Sequence, residues 1–202
     1  MKAVRIAPLV EGDGEVTAVP VLLRRMIQDI DRTVTPIVRP GFRHRSGSML
    51  RIGGLERAIT AVAEIHPAHT VLVIMDTDDH CPKQLGPELQ LRAITARSDL
   101  EVSVVLAHRE YEAWFLAAAE SLAGRRNLRW DLTAPAEPED IRDAKGWLTT
   151  QMPASARYSP TQDQAALSSQ FDLNLARKRS RSFRKLWKEV ERIVKLAASD
   201  SL

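Results

Sequence analysis

Short apolar runs alternating with helical stretches place this chain in the α/β class, with a mainly parallel sheet. Two observations carry the assignment. HTVLVIMD (69–76) is an apolar run too continuous to face water on either side, as in a strand covered on both faces. Before it, Val16, Val19, Leu22, Leu23, Met26, Ile27 and Ile30 recur at helical spacing on one face.

The elements follow in order. AVRIAPLV (3–10) is a short strand with β-branched residues, ending at the turn EGDGE (11–15). The helix after it carries Pro20, tolerable in a first turn and kinking if deeper. TVTPIVR (33–39) is a second strand, and Pro36 assigns it to an edge or irregular position. Residues 49–65 form a helix starting near Gly53 or Gly54, and 69–76 the third strand. A helix over 87–97, a fourth strand over 100–108 and a helix over 110–124 complete the core, with Gly124 just past the last helix end. The expected layout is a four-stranded sheet flanked by helices over residues 1–124. A helical extension, 125–202, packs on it after the Pro-rich acidic stretch DLTAPAEPED (131–140). In that extension Phe183, Leu186, Trp187, Val190, Val194 and Ala197 make one helical stripe.

The chain has 202 residues and a net charge of +3, enough length for a proper core. The lone Cys81 excludes an intramolecular disulfide, the N-terminus reaches acidic residues too soon for a signal peptide, and no apolar run approaches the ~20 residues that cross a bilayer. The expectation is a cytoplasmic protein without membrane contact. Charge is uneven. From Arg177 to Lys195 nine Lys or Arg residues, Arg177, Lys178, Arg179 and Arg181 among them, face only Glu189 and Glu191. A second basic cluster contains Arg39, Arg43, Arg45 and Arg51 with His44. Such patches either solvate exposed faces or bind a polyanion, nucleic acid first.

Three acidic groups stand where open α/β sheets place their sites, just after strand ends. EGDGE follows the first strand, DTDD (76–79) the third and HREYE (108–112) the fourth. Parallel, adjacent strands would bring together Glu11, Glu15, Asp76, Asp78 and Glu112 or Glu110. Two carboxylates about 4 Å apart repel by roughly 4 kcal/mol at an effective dielectric near 20, so such a cluster calls for cations. Oxygen ligands without spaced Cys or His point to Mg²⁺ or Mn²⁺. Arg109, beside the cluster, either contacts a phosphate or balances charge. The ordinary alternatives are a helix N-terminus for Glu11 and Glu15, turn positions for Asp76 and Asp78, and a polar helix position for Glu112.

Other motifs fail on specifics. GDGEVT (12–17) ends in Thr17 where a dinucleotide fingerprint needs Gly, and an EF-hand from Glu11 meets Val16 and Leu22 at its Gly and Glu positions. VLVIMDTDD has the Asp-x-Asp of haloacid dehalogenase-type phosphatases, but His80 replaces the usual Thr and the strand is not the first. His66/His69 and His80/Cys81 could ligate zinc, but lone pairs like these are more often structural or incidental.

Glu-Gly-x-x-Glu after the first strand and Asp-x-Asp after a buried later strand are similar to the TOPRIM domain of topoisomerases, primases and overcoming-lysogenisation-defect nucleases. More narrowly, the chain resembles a bacterial TOPRIM-like family, often encoded beside an ATPase of the AAA or ABC type and linked to phage defence. The matching segments are VEGDGE (10–15), VIMDTDD (73–79), REYEAWFLA (109–117), YSPTQDQ (158–164) and RSRSFRKL (179–186). Asp13 and Gly14 depart from the first motif but leave Glu11 and Glu15 in register. The resemblance implies a TOPRIM-like sheet and metal-dependent phosphodiester chemistry. Glu11 would be general acid/base or ligand, Asp76 and Asp78 would hold Mg²⁺, and Glu15 would be a ligand or support one; the strand-end reading adds Glu112 to the metal set. The implied protein is a nuclease on DNA or RNA with an ATPase as partner; the charge pattern assigns nucleic-acid contact to Arg43, Arg45, Arg109, Arg177, Lys178, Arg179 and Arg181. Competing expectations are a non-catalytic metal- and nucleic-acid-binding or regulatory subunit and, third, a small-molecule phosphatase. Homo-oligomerisation stays open.

Overall fold

The computed structural model describes residues 2–199. Strands β1 (Ala3–Val10), β2 (Thr35–Val38), β3 (Phe42–Arg43), β4 (Thr70–Asp76) and β5 (Glu101–Ala107) form one sheet, ordered β2-β1-β4-β5 with β3 also on β1. Every strand pairing among the described residues is parallel. The α/β class and the parallel sheet are as expected. There are five strands rather than four, because β2 and β3 follow one another along the same partner: β2 pairs with Ala3–Ile6 and β3 with Leu9–Val10. The Arg39–Pro40–Gly41 step between them breaks the ladder, and a two-residue strand leaves no periodicity to read. Pro36 lies on β2, the last strand of its side, as its missing N–H predicts.

The helices are α1 (Glu15–Ile30), α2 (Ser46–Met49), α3 (Gly54–Ile65), α4 (Pro82–Ala96), α5 (Ala113–Ala117), α6 (Ala144–Thr150), α7 (Ala165–Ser168), α8 (Leu173–Arg179) and α9 (Arg181–Ser199). Alternation along the strands divides the core in two layers. Val4, Ile6, Val10, Leu72, Ile74, Val105 and Ala107 join α1, α5 and α9 on one face, while Ala7, Leu9, Val71, Val73, Met75, Val104 and Leu106 meet α3 and α4 on the other. The first layer runs unbroken into residues 125–199: Trp114 and Phe115 stack edge-on against Phe183 and Phe171. Strand alternation also sends Asp76 to the face of Leu72 and Ile74, where α1 begins.

Two helices differ from expectation. Helix α4 starts five residues earlier than 87, with Pro82 in its first turn and Gly86 and Pro87 inside it, a pair that normally argues against a helix interior. The expected helix over 110–124 is α5 followed by a 3₁₀ turn at Ala119–Leu122, and Gly124 then takes φ +71°, the left-handed stop expected of it.

Pro20 lies inside α1 and has no N–H for the Val16 carbonyl. That carbonyl accepts instead from the Gly41 N–H at 3.0 Å. A Cβ at Gly41 would stand 2.9 Å from Val16 Cα, so only glycine lets the two backbones approach. This contact holds the basic segment that follows Gly41 against the start of α1.

Candidate metal centre

Glu11 follows β1, Glu15 opens α1 and Asp76 closes β4. Parallel pairing of β1 with β4 puts those ends side by side, and one carboxylate oxygen from each of the three lies within 4.8 Å of the others. The turn is built for this. Glu15 Oε2 accepts from the Glu11 N–H (3.1 Å) and the Gly12 N–H (3.3 Å), folding the carboxylate back over its own turn. Gly14 is forced: a Cβ there would meet Gln164 Oε1 at 2.3 Å and the Pro160 carbonyl at 2.5 Å. Asp76 Oδ1 accepts from the Tyr111 N–H at 2.8 Å.

Electrostatically the cluster resists ionisation. Burial, then the neighbouring Glu11, lift Glu15 to about 7. Burial, then Glu15, Glu11 and Glu112, hold Asp76 well above the usual carboxylate range. Glu11 is raised by burial and by Asp78, against the pull of the Ser46 hydroxyl and Lys145. Its Oε2 is buried and accepts no hydrogen bond among the described residues. A buried, unanswered carboxylate oxygen beside two like groups is a donor set for a hard cation. The acidic cluster could bind a metal ion.

Behind it sits Glu112, fully buried at the start of α5. It accepts from Tyr158 Oη (2.8 Å) and Gln164 Nε2 (3.2 Å) and faces Lys145 Nζ at 3.2 Å. Burial raises Glu112 and Lys145 opposes this. Burial alone would lower Lys145, but Glu112, Asp76 and Glu110 outweigh it and raise the ammonium. Glu110 accepts from the Lys145 N–H at 3.2 Å and pairs with its Nζ at 3.4 Å. Tyr158 and Gln164 are the first and last residues of YSPTQDQ, and the π-helical turn at Pro160–Gln164 brings both inward. Lys145, in contrast, lies in the first turn of the short helix α6, which has no spacing to mark it. Ser46 and Arg51 likewise carry no signal beyond local composition.

Glu112 is thus held by Tyr158, Gln164 and Lys145, outside the three residues that share the 4.8 Å cluster. Asp78 is exposed past the end of β4 and near enough to Glu11 for its charge to be felt there. Asp78 (φ 48°) and Arg109 (φ 62°) both adopt left-handed backbone, joined by the Asp78 N–H to the Arg109 carbonyl at 3.1 Å. Paired strain of this kind, uncommon outside glycine, gathers at functional loops. The Arg109 side chain pairs with Asp79 (3.2 Å), which also takes Arg142 (2.7 Å).

The cluster opens beside Arg43, Arg45, Ser46, Ser48 and Arg51, which with Glu11 line a shallow cavity of about 520 Å³. Arg43 pairs with Asp13 at 3.0 Å; Arg45 and Arg51 form no ion pair among the described residues. The C-terminal cations are divided. The Arg177 guanidinium lies 4.7 Å from the Trp187 ring centroid, and Arg179 pairs with Glu120 at 2.7 Å. Lys178 and Arg181 are exposed without ion pairs among the described residues.

A family model described as a domain of unknown function, DUF4276, matches residues 10–191. The chain belongs to that family. The DUF4276 match begins one residue before Glu11 and extends into α9, taking in both acidic turns and the segments that carry Lys145, Tyr158 and Gln164. No curated protein and no solved structure matches the chain. Among the described residues no helix is long and apolar enough to cross a membrane.

Proposed function

We propose that this protein is a divalent-cation-dependent nuclease of TOPRIM type, cleaving phosphodiester bonds of DNA or RNA with Mg²⁺ or Mn²⁺. The observation that carries the reading is the gathering of Glu11, Glu15 and Asp76 oxygens within 4.8 Å beside an arginine-lined cavity. Glu11, Glu15 and Asp76 would hold the ion. When bound, it would supply Lewis-acid polarisation of a phosphoryl oxygen and a more acidic water. Arg43, Arg45 and Arg51 attract and orient the phosphates, with Ser46 and Ser48 as hydrogen-bonding neighbours. Lys145, kept protonated by Glu112, Asp76 and Glu110, balances the carboxylates and offers positive charge to an incoming phosphate. The motif resemblance gives Glu11 the alternative role of general acid/base. The motif resemblance adds an AAA- or ABC-type ATPase as partner and phage defence as setting.

A second reading has its own support. Glu15 and Asp76 are only 4% and 9% exposed, and one Glu15 oxygen is already engaged by backbone, which suits a closed, structural ion in a non-catalytic regulatory subunit. Incubation of single- and double-stranded DNA and RNA with Mg²⁺, Mn²⁺ or EDTA decides between them, with any neighbouring ATPase included. Metal-dependent cleavage that Glu11→Gln removes is the expected result. Metal binding by calorimetry with no cleavage of any substrate would overturn it in favour of the structural ion.

A further inference from the structure

A cleft of about 570 Å³ opens along the outer edge of β5, between α4 and the start of α9. It is separate from the arginine-lined cavity beside Glu11, and the size suits a small organic ligand, about 300–1,000 Å³. Its walls are apolar: Pro82, Pro87, Val104 and Leu106. Its rim is cationic. Lys83 and Arg181 form no ion pair among the described residues, and Lys185 shares its charge with Glu189. The one carboxylate in the lining, Glu139, is consumed by the first turn of α9, accepting from the Arg181 N–H (2.8 Å), the Ser182 N–H (2.9 Å) and the Ser180 hydroxyl (2.7 Å).

Two features of the cleft run against the local preferences of the fold. Gly86 and Pro87 sit inside α4, each unfavourable in a helix interior, and such local conflicts gather at functional sites. A Cβ at Gly86 would meet only Leu106 Cδ1, at 3.8 Å, so glycine here keeps open space rather than relieving a clash. On the strand side, Gln90 closes the β5 edge at Val102 (2.7 Å) and Val104 (2.8 Å) and goes no further. Leu106 is the next residue with the same outward backbone direction. Its N–H and carbonyl have no partner outside the sheet among the described residues. His108, at the end of the cleft, approaches Thr77 Oγ1 through Nδ1 at 3.4 Å. Thr77 stands between Asp76 and Asp78, so the cleft adjoins the acidic centre.

We propose that this cleft binds one nucleotide: the base flat between the prolines and Leu106, its polar edge toward the free strand edge, its phosphate on Lys83 and Arg181. An apolar cleft with a donor and an acceptor on one side and cations at its rim fits a base and its phosphate. It fits neither a bare anion nor an apolar peptide. The inference shares with the proposed function only the nucleotide nature of the ligand, and it requires no turnover.

The test is calorimetry and amide NMR on the full chain in EDTA, where the acidic centre holds no cation. Probes are the adenosine, guanosine, cytidine and uridine 5′-monophosphates, inorganic phosphate and a single-stranded trinucleotide. At least one monophosphate should bind, shifting Gly86, Leu106 and His108. Gly86→Phe, which fills the slot, should weaken binding at least tenfold, as should Lys83→Glu on the exposed rim, with thermal melts showing both variants folded. Glu11→Gln should bind like the wild type, so a failed nuclease assay leaves this result standing. Tighter binding of the trinucleotide identifies a nucleotide within a strand as the source, and weaker binding a free nucleotide. Phosphate binding as tightly as the nucleotides, no nucleotide binding at millimolar concentration, or unchanged affinity in both variants would overturn the proposal.

Discussion

The Gly41 N–H donates at 3.0 Å to the Val16 carbonyl, the acceptor left without a helical donor by Pro20. One hydrogen bond thus ties the segment bearing Arg43, Arg45 and Arg51 to the helix bearing Glu15. A proline that reads as a defect of α1 becomes the anchor that sets cationic and anionic halves of the site against each other.

Gly41→Ala should therefore disturb both stability and ligand binding. Its Cβ would press on backbone at Val16 Cα, 2.9 Å away, and overpacking against an unyielding neighbour costs about 1–3 kcal/mol. Denaturant melts should show that loss. Nucleic-acid affinity should fall as well, with a shallower salt dependence, since each phosphate contact on duplex DNA contributes a log–log slope of about −0.9. Unaltered salt dependence would mean that the Arg43–Arg51 segment makes no phosphate contacts.

The pH dependence of stability should carry the mark of Glu15. Its carboxyl titrates near 4.5 when unfolded and about 7 in the fold, burial being the main cause and Glu11 the next. A raised folded pKa means the stabilisation is fully present below about 4.5 and is lost as pH rises through about 7. Without metal, the melting temperature should decline across that window. With Mg²⁺ or Mn²⁺ the decline should shrink or reverse, because a cation binding only the native state adds stability by mass action and favours the ionised carboxylates. Glu15→Gln should remove most of the decline. Melts in EDTA, Mg²⁺ and Mn²⁺ from pH 4 to 9 check all three points.

Much of this site was legible because its residues follow strands that announce themselves. Val71–Met75 is apolar throughout, so β4 and its terminal Asp76 could be placed from sequence, and the helical period after Gly14 fixed Glu15 at a helix start. What stayed hidden depends on long-range closure. Lys145 reaches Glu112 and Glu110 from α6, seven residues that follow the Pro-rich acidic stretch and are too short to show a helical period. Tyr158 and Gln164 reach the same Glu112 through a π-helical turn, a geometry with no period of its own. Helix α4 reads short in the sequence because Gly86–Pro87 contradicts local propensity, and β3 leaves no trace there because two residues cannot show alternation.

Lys145 and Glu112 should behave as a coupled pair. Lys145→Met leaves Glu112, fully buried, without its counter-charge; burial then forces the carboxyl to keep its proton or to lose stability. The loss should be small near pH 5 and larger at pH 8, because only the ionised form suffers. Adding Glu112→Gln should recover part of it, with a coupling energy of about 0.5–3 kcal/mol in a double-mutant cycle. Simple additivity at both pH values would show that the 3.2 Å approach contributes nothing measurable.

Asp76→Asn separates the fold from the chemistry most cleanly. The Asn oxygen can still accept the Tyr111 N–H that Asp76 takes at 2.8 Å, so the joint between β4 and α5 survives. The charge removed is one that Glu15, Glu11 and Glu112 all oppose, so metal-free stability at neutral pH should hold or rise. Stabilisation by Mg²⁺ or Mn²⁺ should nearly vanish, since one of three ligands has lost its charge. On the proposed function, cleavage should fall by about two to four orders of magnitude, roughly 3–5 kcal/mol of barrier, with nucleic-acid binding kept because the arginines are untouched. The set of outcomes is restrictive. A variant that melts lower without metal would make Asp76 a structural carboxylate, and one that keeps its metal-dependent stabilisation would take Asp76 out of the metal centre.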